Sequence, residues 1–519
     1  MFHMYKSILC NTFYKKYIYM KLKNGSRYEK NGWTVISIKG TASERGYAHG
    51  HLMAPELKEV FKMLDFNFLN SYGYSREFFC EVISELFRPQ IIQNYPELYE
   101  EMEYIAKGAT ANGTKLSIDD IITWNCYTSI DSMVGSFHTL IPENAKLNAK
   151  YGHMFTADAV PVKSGHGEGG GIGQKDHCTA FIAVGDYTKD GKIVCAHNSF
   201  DNFIDGQYFN IMLDITPNEK NSNRILMQSA PGWISSGTDF YVTSNGFICT
   251  ETTIGGFIKF TLKDPICCRI RQAMQYARTL DECTNYLTTN NGGDYANSWL
   301  IGDTNTNTIM RIELGLQYVN IEKKTNGYFI GYNAPEDPRI RLLECVNTGY
   351  DDIRRHQGAR RVRLTQFMDQ YKGKLDIKLA EEILGDHYDV YLNKINPCSR
   401  TCCSHYELDD RAFMSQSDRP KPYQLRGALD GIVCDTALAK KMSLIARWGT
   451  SCGTPFIKES FFQKHIQWRD QEPYVKDRPY QPWTEFRLEN YKKSKNKTKV
   501  KIERLMKIKK GNKKTKKLL

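Results

Sequence analysis

The sequence lacks any long hydrophobic run. Nowhere does it reach the roughly 18 consecutive apolar residues of a transmembrane helix, so we expect no membrane span. The first residues, MFHMYKSILCNTFYKKYIYM, mix lysines with apolar side chains and lack the uninterrupted apolar core of a signal peptide. The chain contains 15 cysteines, an odd number, and without a secretory signal we expect mostly reduced thiols in a cytosol-like compartment.

Most of the chain also lacks an excess of positive charge. The formal net charge is +12, but residues 491–519 contain thirteen lysines and one arginine against the single acidic residue Glu503, so the residues before them carry −1. This tail has few apolar residues and no helical period, and we expect it to be disordered. It is either a solvated appendage or a segment that binds nucleic acid or an anionic surface without specificity.

The chain has a glycine-rich motif but lacks the context of a nucleotide-binding loop. Residues 165–170 read G-x-G-x-x-G, a motif that follows a strand and opens a helix in dinucleotide sites. Here Pro161 interrupts the preceding segment, and an alternating, strand-like run begins at Cys178. We therefore interpret residues 161–177 as an exposed linker that leads to Cys178, and we expect no nucleotide, flavin or other cofactor.

A complete metal-binding motif is missing as well. The stretch CSRTCCSHYE brings together Cys398, Cys402, Cys403 and His405, but no second C-x-x-C or H-x-x-x-H motif completes a tetrahedral zinc site. We interpret this stretch as a structural loop and expect no metal.

What the chain does contain is a mixed succession of helix and strand patterns. A strand at residues 33–39 is followed by a predicted turn through Gly40 and Gly46, and then by three helices, the last of which we expect to stop at Gly108. From Cys178 the period changes to two, with hairpin turns at residues 189–191 and 245–246. Further strands and helices follow. This order predicts an α+β body in which two sheets pack together with helices outside them.

Several segments resemble one enzyme superfamily. DHCTAFIAVGDYTKDGKIVCAHNSFD resembles the nucleophile region of the N-terminal nucleophile (Ntn) hydrolases, and SAPGWISSGTDFYVTSNGFICTETTIGG is similar to a stretch of the phospholipase B-like (lamina ancestor) proteins. ERGYAHG, ANSWLIGD and GALDGIVCD are similar to segments of the C45 autoproteolytic acyltransferase/hydrolases. The resemblance covers most of residues 33–485 and implies a four-layer αββα sandwich.

The resemblance implies that the protein is made as an inactive precursor in which Cys178 attacks the carbonyl of His177. A thiol is a good nucleophile through its thiolate, and an N-to-S shift followed by hydrolysis would leave Cys178 with a free α-amino group. With a reference pKa of about 8, this amine can act as the base for its own thiol. The alternative is that Cys178 is an ordinary small, apolar strand residue.

The same resemblance suggests partners for Cys178. Asn198 matches the Asn of the family patterns A-H-N-T-W and Q-N-W-D, and the hairpin brings it and His197 near the Cys178 strand, although His197 also fits a structural role. Glu251 and Thr252, in the E-T-T-I-G match, would orient the amine, or Thr252 is simply a strand residue. Asn297 in ANSW is our preferred oxyanion donor, because an amide donates without needing to be protonated.

These features predict an autoprocessed cysteine hydrolase that cleaves an acyl bond, either the ester of a phospholipid or the amide of an N-acyl compound, possibly with transfer to an amine. The alternative is an inactive hydrolase-fold protein that binds nucleic acid or an anionic surface through its basic tail. We expect an arm at residues 1–30, an N-terminal fragment at 31–177, a catalytic fragment at 178–490 and a tail at 491–519.

Overall fold

A computed structural model describes residues 20–155, 178–410 and 421–487. The linker at 161–177, with His177, and the basic tail lie outside the described residues. Residues 20–30 of the predicted arm are part of the sheet structure. Within the described ranges, no helix is both long enough and apolar enough to cross a membrane.

The chain mixes helices and strands, in agreement with the predicted α+β class. The strands are β1 (Met20–Lys21), β2 (Gly25–Lys30), β3 (Trp33–Gly40), β4 (Cys178–Val184), β5 (Val194–Asn202), β6 (Ile211–Pro217), β7 (Ile225–Ser229), β8 (Tyr241–Thr243), β9 (Phe247–Thr253), β10 (Asn297–Asp303), β11 (Thr308–Leu314), β12 (Val319–Lys324), β13 (Gly327–Gly331), β14 (Tyr388–Asp389), β15 (Lys394–Ile395), β16 (Arg426–Ala428), β17 (Asp430–Asp435), β18 (Ser443–Trp448) and β19 (Thr484–Arg487). The helices are α1 (Ala42–Leu52), α2 (Ala54–Tyr72), α3 (Arg76–Asn94), α4 (Pro96–Ala111), α5 (Ile118–Asn125), α6 (Ile130–Val134), α7 (Phe137–Glu143), α8 (Ala145–Tyr151), α9 (Phe203–Gly206), α10 (Ile266–Tyr276), α11 (Leu280–Thr288), α12 (Pro338–Leu343), α13 (His356–Gln370), α14 (Ile377–Leu384), α15 (Thr436–Ala439) and α16 (Lys458–Lys464).

Two large sheets organise the described chain. A ten-stranded sheet has the order β1-β2-β3-β6-β7-β8-β9-β10-β11-β12, and a seven-stranded sheet runs β13-β4-β5-β17-β18-β19 with β16 paired to β5. Strand β4 of the smaller sheet contacts β9, β10 and β11 of the larger one. Helices α1, α10 and α11 contact the larger sheet, whereas α13 and α14 contact the smaller one.

The predicted hairpin at Cys178 is present, and its register decides which side chains lie together. Strands β4 and β5 are antiparallel, with Cys178 opposite Ser199 and Thr179 opposite Asn198. Because side chains alternate between faces, Cys178 and Ser199 point to the same side of the sheet, and Asn198 points to the other. The second predicted hairpin, between β8 and β9, is also confirmed.

Two glycines that we expected to break structure lie inside helices instead. Gly46 is in α1, which begins at a capping box formed by Thr41 and Glu44, and α4 continues past Gly108 to Ala111. A Cβ atom on Gly46 would overlap the carbonyl oxygen of Glu101, and one on Gly108 would overlap that of Tyr47. The glycines therefore allow α1 and α4 to pack backbone against backbone, a tertiary role that the sequence pattern did not reveal.

The same helix pair supplies a test of this packing. Gly50 is also in α1, and a Cβ atom there would overlap the carbonyl oxygen of Ile105. We expect Gly50→Ala to lower the free energy of unfolding by about 1–3 kcal/mol, because the helices must move apart. Lys58→Ala, at an exposed position of α2, is the control and should leave it unchanged within about 0.5 kcal/mol. Denaturant titration measures both; equal stability of the two variants would contradict close packing.

A buried ion cluster connects the segments before and after the linker. Glu101 in α4 accepts a hydrogen bond from Arg45 Nε at 2.6 Å and another from Arg271 Nη2 in α10 at 3.0 Å, and all three side chains are fully buried. A buried carboxylate between two guanidinium groups is costly to break, because removing one partner leaves uncompensated charge. The helical N-terminal part is thus joined to the rest of the molecule by charge as well as by the shared hydrophobic core.

Candidate active site

A small, partly open cavity of about 40 Å³ lies at the beginning of β4. Its walls come from the helical N-terminal part, from β4 and β5 of the smaller sheet, and from the loops before β6, β8, β10 and β17. The lining residues are Tyr127, Thr128, Asp131, Cys178, Ser199, Phe200, Asp201, Phe209, Gly237, Thr238, Asp239, Tyr295 and Leu429. Cys178 is therefore a cavity residue.

The Cys178 thiol is buried and lies next to carboxylates. Its Sγ atom is 3.9 Å from Oε1 of Glu251, and the side chain of Cys178 is almost completely enclosed. Burial, followed by the negative charges of Glu251 and Asp239, raises the pKa of the Cys178 thiol well above its usual value. The thiol is thus protonated at neutral pH and needs a nearby base to become a nucleophile.

Glu251 is held in place by hydrogen bonds from residues near β10. Tyr295 donates its hydroxyl to Oε1 of Glu251 at 3.2 Å, and Thr253 donates to the Tyr295 oxygen at 3.0 Å. With its amide turned so that nitrogen faces the carboxylate, Asn297 donates to Oε2 of Glu251 at 3.1 Å and to the carbonyl of Ala296 at 2.7 Å. Glu251 therefore connects Asn297 to the thiol, because its two carboxylate oxygens contact one group each.

Asp239 adds a second buried carboxyl group to the cavity. The Tyr295 hydroxyl is 3.4 Å from its Oδ2 atom. Burial raises the pKa of Asp239 to about 6, although hydrogen bonds from Glu251 and Tyr295 act in the opposite direction. Asp239 also has a left-handed backbone, with φ at 56°, a conformation that Asp adopts more readily than most residues. Because its pKa is about 6, the Asp239 carboxyl group loses its proton as the pH rises through that value.

The backbone of Cys178 is fixed by two residues that the sequence reasoning did not identify. The amide nitrogen of Cys178 donates to Oδ1 of Asn333 at 3.2 Å, and Nη1 of Arg360 donates to the Cys178 carbonyl. Arg360 Nη2 also donates to Oδ1 of Asn333 at 2.8 Å, while Asn333 Nδ2 donates to the carbonyl of Thr253 at 2.8 Å. Asn333 and Arg360 are fully buried. They hold the atoms on both sides of the Cys178 α-carbon.

A further acid, Asp430 at the start of β17, contacts Ser199, the residue opposite Cys178 in the hairpin. Ser199 donates both its backbone nitrogen and its hydroxyl to Oδ1 of Asp430, at 3.1 and 2.7 Å. Burial raises the pKa of Asp430 to about 7, and the Ser199 hydrogen bonds oppose that rise. The pair fixes the Ser199 side of the cavity in β5.

The structure brings together only some of the residues predicted for the site. Cys178, Glu251 and Asn297 form a connected group. Asp201 also lines the cavity. His197 lies on the Cys178 side of β5, opposite Ala180, and burial lowers its pKa to about 3, so it is neutral.

Asn198 and Thr252 lie apart from that group. Asn198 points to the helical side of the smaller sheet, where its Nδ2 atom donates to the carbonyls of Leu384 and Cys402 at 2.8 and 3.0 Å. The hairpin register explains this, because Ser199 rather than Asn198 is opposite Cys178. Thr252 packs against Gly331, where a Cβ atom would overlap its side chain. Asn198 thus anchors a strand instead of lining the cavity.

Comparison with known proteins identifies the family of the chain. The chain belongs to the phospholipase B family, whose family model matches residues 92–490. It is 27% identical over 303 residues to phospholipase B of Crotalus adamanteus, covering 52% of this chain and 51% of the relative. It is 26% identical over 330 residues to human phospholipase B-like 1, covering 57% and 56%, and 25% identical over 257 residues to the putative phospholipase B-like 2 of Rattus norvegicus, covering 44% of each. The chain thus spans about half the length of the curated relatives it matches.

Proposed function

We propose that this protein is a lipid acyl hydrolase of the phospholipase B type, with Cys178 as its nucleophile and the bond between His177 and Cys178 as its activation site. Membership of the phospholipase B family supports the lipid substrate. The observation that carries the mechanism is the Cys178 thiol, buried in a cavity at the first residue of β4 and 3.9 Å from the Glu251 carboxylate. We also propose the four-layer αββα sandwich of Ntn hydrolases, which the packing of helices on both sheets supports.

In the proposed activation, the Cys178 sulfur attacks the carbonyl carbon of His177. The peptide C–N bond breaks as the C–S bond forms, and the nitrogen of Cys178 takes up a proton to become an amine. Water then hydrolyses the thioester, which releases the carboxylate of His177 and regenerates the thiol. Arg360 and Asn333 support this step because they fix the carbonyl and the nitrogen of Cys178 while the preceding bond breaks.

In the proposed hydrolysis, the free amine of Cys178 accepts the thiol proton and the thiolate attacks the ester carbonyl. The leaving alcohol takes the proton back from the amine, and water cleaves the resulting acyl-thioester. Asn333 accepts a hydrogen bond from the amine and directs its lone pair, and Glu251 lies 3.9 Å from the thiol. Asn297 remains our candidate for the oxyanion donor; its Nδ2 faces Glu251 before substrate binds and would exchange that contact for the substrate oxygen.

Hydrolysis of labelled lipid tests the proposed function. Purified, processed protein is incubated with vesicles of a diacyl phosphatidylcholine labelled in its acyl chains, and in parallel with N-acyl amino acids. Release of labelled fatty acid that disappears in Cys178→Ala is the expected result. Release from the amides alone would assign the site to the amidase class of the C45 enzymes, and release from neither substrate would refute the acyl hydrolase.

The two carboxyl groups near Cys178 predict a pH dependence. Above about pH 6, deprotonated Asp239 places a negative charge near the thiol and disfavours the thiolate. Asp239→Asn keeps the shape but removes this charge, so the thiolate forms at lower pH. The rise of the hydrolysis rate with pH should therefore move by about one unit toward lower pH. Initial rates across the pH range measure the shift. Asp376→Asn, at a surface helix cap, is the control, and an unchanged profile for Asp239→Asn would contradict the assignment.

A further inference from the structure

A cluster of two cysteines and two histidines lies on the helical side of the smaller sheet, and none of its four residues lines the Cys178 cavity. One ligand atom from each of His387, Cys403, His405 and Cys452 lies within 4.8 Å of the other three. The sequence stretch around Cys403 supplies only two of them. His387 follows α14, and Cys452 lies in the turn after β18, so the set is completed only by the fold.

The distances fit tetrahedral coordination of a single ion. The Nε2 atom of His405 is 3.4 Å from the Cys403 sulfur and 3.5 Å from the Cys452 sulfur. With metal–sulfur bonds of about 2.3 Å and metal–nitrogen bonds of about 2.0 Å, the sulfur–nitrogen edge of a tetrahedral zinc site is about 3.5 Å. The imidazole rings of His387 and His405 are 5.0 Å apart between centroids and meet edge to face, so one nitrogen of each can approach a common point.

The orientation of His405 supports a ligand role. Its Nδ1 atom is 2.8 Å from Oε1 of Glu407, so the protonated nitrogen faces the carboxylate and the Nε2 lone pair faces the two sulfurs. A histidine that binds a metal characteristically donates its second ring nitrogen to a carboxylate or carbonyl in this way. The buried Nε2 atom of His387 has no hydrogen-bond partner among the described residues. A metal ion would satisfy it.

We propose that His387, Cys403, His405 and Cys452 form a structural zinc site. Two thiolates and two imidazoles are a donor set that zinc prefers, and four protein ligands leave no open position for catalysis. The ion would tie together the end of α14, the loop that contains Cys403 and the turn after β18. These segments also hold β5, the strand paired with β4, because Asn198 in β5 donates to the carbonyls of Leu384 and Cys402. Ser451 donates to the carbonyl of Leu384 at 2.7 Å and so joins the turn after β18 to the end of α14.

Metal analysis of the full chain tests the site. Protein purified under reducing conditions without chelators is examined for zinc by mass spectrometry, and metal-free protein is titrated with Co²⁺. We expect about one zinc per chain, and cobalt absorption bands of a tetrahedral thiolate site. The variant Cys452→Ser, in a partly exposed turn, should lose at least tenfold in bound zinc and lose the cobalt thiolate bands.

Cys398→Ser is the matched control. Cys398 is buried in the same loop, but its thiol donates to Asp389 and is not part of the cluster, so this variant should keep its zinc. If Cys452→Ser fails to fold, the wild-type protein still gives the answer, because a mercurial thiol reagent should release zinc from it. Reduced wild-type protein that neither contains zinc nor binds Co²⁺, or a bond between the Cys403 and Cys452 sulfurs that persists in reductant, would overturn the proposal.

Discussion

Cys178→Ala is expected to remain a single uncut chain of 519 residues, whereas the wild-type protein should separate under denaturing conditions into pieces of 177 and 342 residues. The larger piece should begin Cys-Thr-Ala-Phe. Lipid hydrolysis by the variant should fall by about 10³-fold or more, since both the nucleophile and the amine that activates it are lost. Intact-mass measurement and N-terminal sequencing establish the cleavage, and fatty acid release measures the activity.

Two comparisons make this result specific. Cys195→Ala removes another buried thiol from the same face of the smaller sheet and should be processed like the wild type. Cys178→Ser keeps a nucleophilic oxygen and should be processed slowly, because a hydroxyl is harder to ionise than a thiol. Cleavage of Cys178→Ala at the same bond would mean that another protease acts there, and an uncut wild-type chain with full activity would exclude the N-terminal amine as base.

Asn333→Gly is expected to lower lipid hydrolysis by about 10²-fold while the protein remains folded. Asn333 positions the Cys178 nitrogen, and loss of one positioning hydrogen bond to a catalytic group costs an effect of this order. Glycine is the suitable replacement because Asn333 has a left-handed backbone with φ at 66°, which glycine adopts without strain. The variant therefore removes the side chain and keeps the turn.

The control for that variant is Asn221→Gly. Asn221 is exposed and has φ at 63°. Its replacement by glycine therefore has the same backbone entropy cost as Asn333→Gly but affects no residue of the site. Asn333→Gly should unfold several degrees below Asn221→Gly, because Arg360 and the Thr253 carbonyl lose a buried hydrogen-bond partner, but both variants should be folded at the assay temperature. Only Asn333→Gly should lose activity, with an effect on kcat rather than KM. Equal activity of Asn333→Gly and wild type would remove Asn333 from the proposed mechanism.

Local patterns in the sequence predicted the elements that carry Cys178 and Glu251. The Cys178 hairpin was readable from alternation and its turn, and the E-T-T-I-G match pointed to Glu251. The sequence could not show which face of the sheet Asn198 points to, because a shift of one residue in the pairing of β4 and β5 reverses the face. Gly46 and Gly108 were misread, since a glycine that permits helix contact has the same local signature as one that ends a helix.

Asn333 and Arg360 could not be found from local pattern at all. They are 155 and 182 residues from Cys178 in the chain, and only the tertiary fold brings them to it. Asp239 left a weak signal, as an acidic residue within a turn-like stretch before an apolar strand. Likewise, the sequence motifs argue against a zinc site, because no second C-x-x-C or H-x-x-x-H motif accompanies the cysteine-rich stretch. Only the fold brings His387 and Cys452 to Cys403 and His405.

The strand and helices before the linker are built into the same core as the segments after it. Strand β3 lies within the ten-stranded sheet, parallel to β6, and the buried cluster contains residues from Trp33 to Phe155 together with those after Ala180. If the linker is cut, the two polypeptides therefore stay associated and co-purify. Their refolding, however, becomes a second-order reaction between separate molecules, so recovery after denaturation should depend on protein concentration. Maturation would thus convert a chain that can refold alone into an assembly that cannot, and its lifetime would be set by the rate at which it first comes apart.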